Sequence, residues 1–119
     1  VDTLLAEGYS VVLIGTTPEF SYSIPVGLMA ELRWGIRHAT TDAAAYAERN
    51  ARVIRLFEAF DERPGVQYVP IHDILCPDEC IVMLDGQPVY RDEDHLSAFG
   101  ATTLLADVLA ERIWGVAAP

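Results

Sequence analysis

The sequence predicts an α/β protein whose parallel strands are joined by a crossover helix. Three observations predict it. Residues 10–14 and 66–69 are short, continuous apolar runs. Residues 41–60, between them, carry apolar side chains at helical spacing. Residues 97–113, near the end, do so again. A continuous apolar run of this length fits a strand buried on both faces. Two such strands separated by a helix form a right-handed βαβ unit with a parallel pair.

Taken in order, residues 3–7 read as the end of a helix stopped by Gly8. The strand at 10–14 ends at Gly15-Thr16-Thr17-Pro18. Residues 20–38 are punctuated by Pro25 and Gly27, with 28–34 suited to a short helix. The helix at 41–60 takes its cap from Thr41 or Asp42. Tyr46, Val53, Phe57 and Phe60 form its core-facing stripe, and Glu48 and Arg52 are spaced as an i,i+4 pair. Arg63-Pro64-Gly65 breaks it; the strand at 66–69 ends at Pro70, and 71–75 is a helical turn. Residues 81–84 and 88–90 flank Asp85-Gly86-Gln87, a hairpin signal built on an Asp-Gly turn. The last helix is capped by Ser97, buries Leu104, Leu105, Val108 and Leu109, and stops at Gly115.

Two parallel strands make a poor sheet, because such sheets are covered on both faces and contain more strands. The chain starts at Val1, and its only methionines are Met29 and Met83. Both points lead to the expectation of further chain upstream, with these residues forming the C-terminal part of one domain.

Of the 119 residues, 51% are apolar and 22% charged, which excludes an intrinsically disordered segment. Eighteen acidic residues against eight basic ones give a net charge of −10, and all the basic residues are arginine. No basic stripe exists, so neither a nucleic acid nor an anionic membrane surface is an expected partner of this segment. No apolar run approaches the ~20 residues that span a bilayer. Cys76 and Cys80 stand in a C-x3-C arrangement that matches neither a redox pair nor a paired zinc knuckle. A local disulfide in an oxidising compartment is the first reading; free thiols and metal ligation are the others.

The chemistry concentrates in Tyr90-Arg91-Asp92-Glu93-Asp94-His95-Leu96-Ser97, just before the last helix. Three residues apart, Asp92 and His95 can meet within one turn of chain. The carboxylate would then fix the imidazole tautomer and stabilise the imidazolium, leaving the other nitrogen as general base. Alone, the pattern is weak, and a solvated surface histidine beside acids is the bland alternative.

The set Leu75-Cys76, Cys80, Gly86, Tyr90, Asp92, Asp94-His95-Leu96-Ser97 and Gly100-Ala101 is more specific. It resembles the last block of the SGNH, or GDSL-type, hydrolase superfamily. The resemblance is closest to the extracytoplasmic SGNH domains fused to membrane acyltransferases that O-acylate bacterial cell-surface polysaccharide. Leu4, Leu5, Gly8, Val11, Leu13 and Pro18 fit the strand region that precedes this block. The resemblance implies a flavodoxin-like three-layer fold, of which this chain is the C-terminal half. It implies His95 as catalytic base and Asp92 as its orienting acid, with no cofactor and no metal. Asp94 is left to favour the start of the last helix, and Gly100 to allow close helix packing.

The departures bear on function. The family nucleophile lies in a Gly-Asp-Ser block, and this sequence has none. Ser10, Ser21, Ser23 and Ser97 lie outside any nucleophile motif, and the single asparagine, Asn50, falls within a helix. The expected protein is thus part of a Ser-His-Asp esterase or O-acyltransferase domain, inactive alone. It would use an acyl donor and a carbohydrate acceptor once joined to the upstream half. The alternative is a non-catalytic module that binds carbohydrate or protein, and an unpaired strand edge could drive dimerisation. Three weaker candidates remain: a zinc site from His72, Cys76, Cys80 and His95; a cation on the acidic residues between Asp73 and Asp94; and an acceptor groove lined by Tyr22 and Trp34.

Overall fold

The two apolar runs form β1 (Val11–Ile14) and β2 (Val66–Val69), paired in parallel with Val11 opposite Val66 and Ile14 opposite Val69. The structure is a computed structural model, and it describes residues 1–37 and 41–115. A short helix, α1 (Asp2–Ala6), precedes β1; Gly8 follows it with a φ of 86° that only glycine adopts cheaply.

The crossover runs through α2 (Ile24–Trp34) and α3 (Ala43–Asp61). The helix expected at 28–34 starts four residues earlier. Pro25 occupies its first turn, where a missing N–H costs nothing and the fixed φ favours the helix. The stretch read as ending at His38 closes outside the described residues. In α3 the Asp42 side chain caps the start, accepting from the Ala45 N–H at 2.8 Å. Tyr46 is buried and Phe57 meets Tyr68 edge-on at 5.4 Å. Val53, expected on the same buried stripe, keeps 37% of its surface exposed. The helix lies mainly on β2, leaving that position beyond the cover of the sheet. Glu48 and Arg52 do not pair; Arg49 instead meets Glu19.

After β2 come a single turn, α4 (His72–Leu75), and a hairpin of β3 (Met83–Leu84) and β4 (Gln87–Pro88). Leu84 faces Gln87, so the loop is Asp85-Gly86, and both take positive φ (49° and 76°) as a two-residue hairpin turn demands. The last helix, α5 (Ala98–Trp114), starts where Ser97 Oγ accepts from the Gly100 N–H at 3.0 Å and ends at Gly115.

The core involves the sheet mainly through β2. Phe20, Ile24, Val69, Ile71, Leu75, Val89, Tyr90 and Leu105 pack together at the Val69 end of β2, with Cys76 and Cys80 among them. The two cysteines are joined by a disulfide. β1 corrects the expectation of burial on both faces. It has one strand partner among the described residues, and Ile14 is 43% exposed. Among the described residues no helix is long and apolar enough to cross a membrane.

Candidate active site

The chain reverses between Val89 and Ser97. The Arg91 N–H donates to the His95 carbonyl (2.8 Å) and the Ser97 N–H to the Val89 carbonyl (2.9 Å). Inside this loop Asp92 folds back on its own backbone. Its Oδ1 accepts from the His95 N–H at 2.8 Å and the Asp94 N–H at 3.1 Å. This local turn is why the D-x-x-H spacing works: it delivers the carboxylate to the imidazole without help from distant chain. His95 Nδ1 lies 3.0 Å from Asp92 Oδ2 and 2.7 Å from Asp94 Oδ1.

Ionised carboxylates only accept, so Nδ1 of a neutral His95 carries the proton. Nε2 is then the unprotonated nitrogen. It has no hydrogen-bond partner among the described residues, and the side chain is 62% exposed. The Asp92 carboxyl is held well below the usual carboxylate range. The Asp94 N–H is the main cause, followed by the His95 N–H; desolvation opposes them, and the His95 side chain adds a smaller lowering. The group is therefore an anion at any pH where an imidazole titrates.

The loop is also tied from outside. The Ile24 N–H donates to the Asp92 carbonyl (3.3 Å) and the Phe20 N–H to the Glu93 carbonyl (2.9 Å). Thr17 Oγ1 donates to the Asp94 carbonyl at 2.7 Å. Three successive carbonyls are thus held by the segment after β1 and the first residue of α2. Tyr90 is fully buried, with Phe20 edge-on at 4.8 Å and a hydroxyl that finds no partner among the described residues. Burial pushes that phenol well above its ordinary pKa.

The other candidates separate. Cys76 and Cys80 hold each other, so neither offers a thiolate to zinc. His72 lies on a different element, stacked on Tyr46 at 4.6 Å with Nε2 3.3 Å from Asp73 Oδ1. Of the acidic stretch, Asp92 and Asp94 with His95 bring donor atoms within 4.8 Å of one another, the arrangement already described around Nδ1. Asn50 is engaged on α3, its Nδ2 donating to the Tyr46 carbonyl and its Oδ1 accepting from Thr16 Oγ1. Ser97 is engaged as a cap, its hydroxyl facing the Pro88 and Val89 carbonyls at 2.9 and 3.1 Å. Tyr22 packs edge-on to Phe20 at 6.4 Å, while Trp34 stands exposed at the end of α2. Gly100 is a close-approach residue, since a Cβ there would lie 2.2 Å from the Val89 carbonyl oxygen.

Two site residues escape sequence reasoning. Asp94, expected to favour the helix start, instead shares the imidazole with Asp92. Thr17 reads only as part of the turn that ends a strand.

A parallel α/β arrangement with an exposed histidine–carboxylate couple on the loop before its last helix defines the class of protein. The family model of the SGNH domain (fused to AT3 domains) matches residues 1–110, and the chain belongs to that family. No curated protein and no solved structure matches it.

Proposed function

We propose that this chain supplies the base and its orienting acid to an acyl-transfer site. A serine contributed by chain outside these 119 residues attacks an acyl ester, with His95 Nε2 taking its proton and Asp92 steadying the imidazolium; the ester C–O bond breaks and the departing alcohol takes that proton from Nε2, leaving an acyl-serine. The acyl group then passes to water or to a hydroxyl of cell-surface carbohydrate, in an extracytoplasmic compartment consistent with the disulfide. One observation carries this reading: His95 Nδ1 is held by an anionic carboxylate while the imidazole stays 62% exposed, with no partner for Nε2 among the described residues. Membership of a family named for fusion to AT3 domains supports the acyltransferase setting. Among the described residues β1 pairs with β2 alone, and its other edge is where a further part of the domain would add a strand.

The test is a comparison of three proteins on an activated acetyl ester. The chain alone is expected to give no turnover above His95→Ala. Joined to its preceding coding sequence, it is expected to turn over, and His95→Ala in that longer protein abolishes this. Activity that survives the substitution overturns the assignment. A second reading, a module that binds carbohydrate or protein, draws on the exposed apolar side chains of Val26, Met29, Leu32 and Trp34 on α2. A preceding sequence without a Gly-Asp-Ser block would favour it.

A further inference from the structure

We infer that Thr17 is a positioning residue for the His95–Asp92 couple, acting through the Asp94 carbonyl. The inference rests on the base-and-acid reading of that couple. His95 follows Asp94 directly, and its imidazole touches the Asp94 side chain at 2.7 Å. The peptide unit that Thr17 grips is therefore the one that sets the direction of both. Two of the three outside ties to this loop come from backbone N–H groups, of Phe20 and Ile24, which any residue other than proline supplies. Thr17 Oγ1 gives the third and is the side-chain donor among them.

The geometry favours a strong tie. The hydrogen bond is 2.7 Å long, partly buried, and closes a span of 77 residues. Thr17 sits between Gly15 and Pro18, both buried, so its backbone has little freedom to swing away. The Phe20 and Ile24 ties hold the Glu93 and Asp92 carbonyls, so at the Asp94 peptide the restraints other than Thr17 are internal to the loop. The Asx-type bonds of Asp92 keep the local turn, yet they turn with it as a unit. Loss of the Thr17 hydroxyl therefore leaves the turn intact and frees its Asp94–His95 end to reorient against the body of the protein. A base displaced by about 1 Å loses up to about 100-fold in rate.

The experiment uses the chain itself, with Thr17→Val and Thr17→Ser variants, and reads the imidazole by long-range 1H–15N correlation. Wild type is expected to show His95 as predominantly the Nδ1–H tautomer. Valine keeps the size and shape of threonine without the hydroxyl. It is expected to lower that tautomer's excess over Nε2–H at least threefold and to broaden the Asp94 and His95 amide signals. Serine is expected to restore both. A general packing role would move the melting temperature of the two variants alike, without separating their tautomer spectra. The inference is overturned if valine leaves the spectrum unchanged, or if serine fails as badly as valine. A wild-type spectrum without the Nδ1–H preference overturns the couple itself, and this is read before any variant is made. In the longer, active protein, Thr17→Val should lower kcat about tenfold with little change in KM, the pattern of a misaligned base rather than of weakened substrate binding.

Discussion

Replacement of Gly100 by alanine sets two effects of opposite sign against each other. In an exposed helix this change stabilises by about 1 kcal/mol, because glycine gives up more backbone freedom. Here the added Cβ would lie 2.2 Å from the Val89 carbonyl oxygen and 2.9 Å from its Cγ1, where ordinary contact begins at 3.4 Å. The obstacle is backbone, so α5 must retreat by about 1 Å rather than a side chain turning aside. The same carbonyl accepts the Ser97 N–H at 2.9 Å, and that bond stretches out of range as the helix moves. Overpacking costs about 1–3 kcal/mol and the broken bond about 1 more. After the helix gain the net loss is about 2 kcal/mol. For a domain of this size that is a fall of roughly 8 °C in Tm. Thermal and urea melts followed by circular dichroism measure it. An unchanged or raised Tm would falsify the close-approach account of Gly100.

Four further outcomes are expected. Reduction of the Cys76–Cys80 disulfide, or its replacement by two serines, should cost about 2 kcal/mol, because the loop it closes is only a few residues long; calorimetry with and without reductant reads this, and a loss above about 4 kcal/mol would show that the bridge does more than restrict the unfolded chain. The carboxyl of Asp92 titrates lower folded than unfolded, so its stabilisation is full above the ordinary carboxylate range and disappears as pH falls through the folded value. The stability gap between wild type and Asp92→Asn should therefore narrow as the pH is lowered from mildly acidic to strongly acidic, and a gap constant across acid melts contradicts the assignment. Removal of the unpartnered hydroxyl in Tyr90→Phe should be neutral or stabilising by up to about 1 kcal/mol; clear destabilisation in urea would mean that the hydroxyl has a partner. Asp42→Ala removes the cap of α3 and should cost about 1 kcal/mol; an unchanged urea midpoint would count against it.

The legible parts of the sequence are those whose cause is local. The Asp92–His95 pairing follows from a turn three residues long, so the spacing permits it and the surrounding block of residues singles it out. Periodicity and a capping aspartate mark α3, and Asp85-Gly86 marks the hairpin, because positive φ at both positions narrows the choice of residues. Family membership is readable from the block around His95. Failures of the sequence reading are non-local or directional. Pro25 reads as a breaker, although the first turn of a helix accepts proline; that positional rule moves the start of α2 to Ile24. Asp94 is adjacent to His95, but where its side chain points depends on loop dihedrals that composition does not reveal. Exposure at Ile14 and Val53 depends on what lies beside β1 and α3, information no local run contains. Nothing near Thr17 marks a partner 77 residues away.

That separation has a consequence for how the protein is made. Thr17 leaves the ribosome long before Asp94, and a chain grows at about 5–20 residues per second. For several seconds the anchor exists without the loop it holds. Contacts between distant segments also pay loop-closure entropy before they return any stability. The Asp92 turn can form within a short peptide, but its orientation is set only when both ends of the fold have met. The geometry of the Asp92–His95 couple is thus among the last features to mature during biosynthesis.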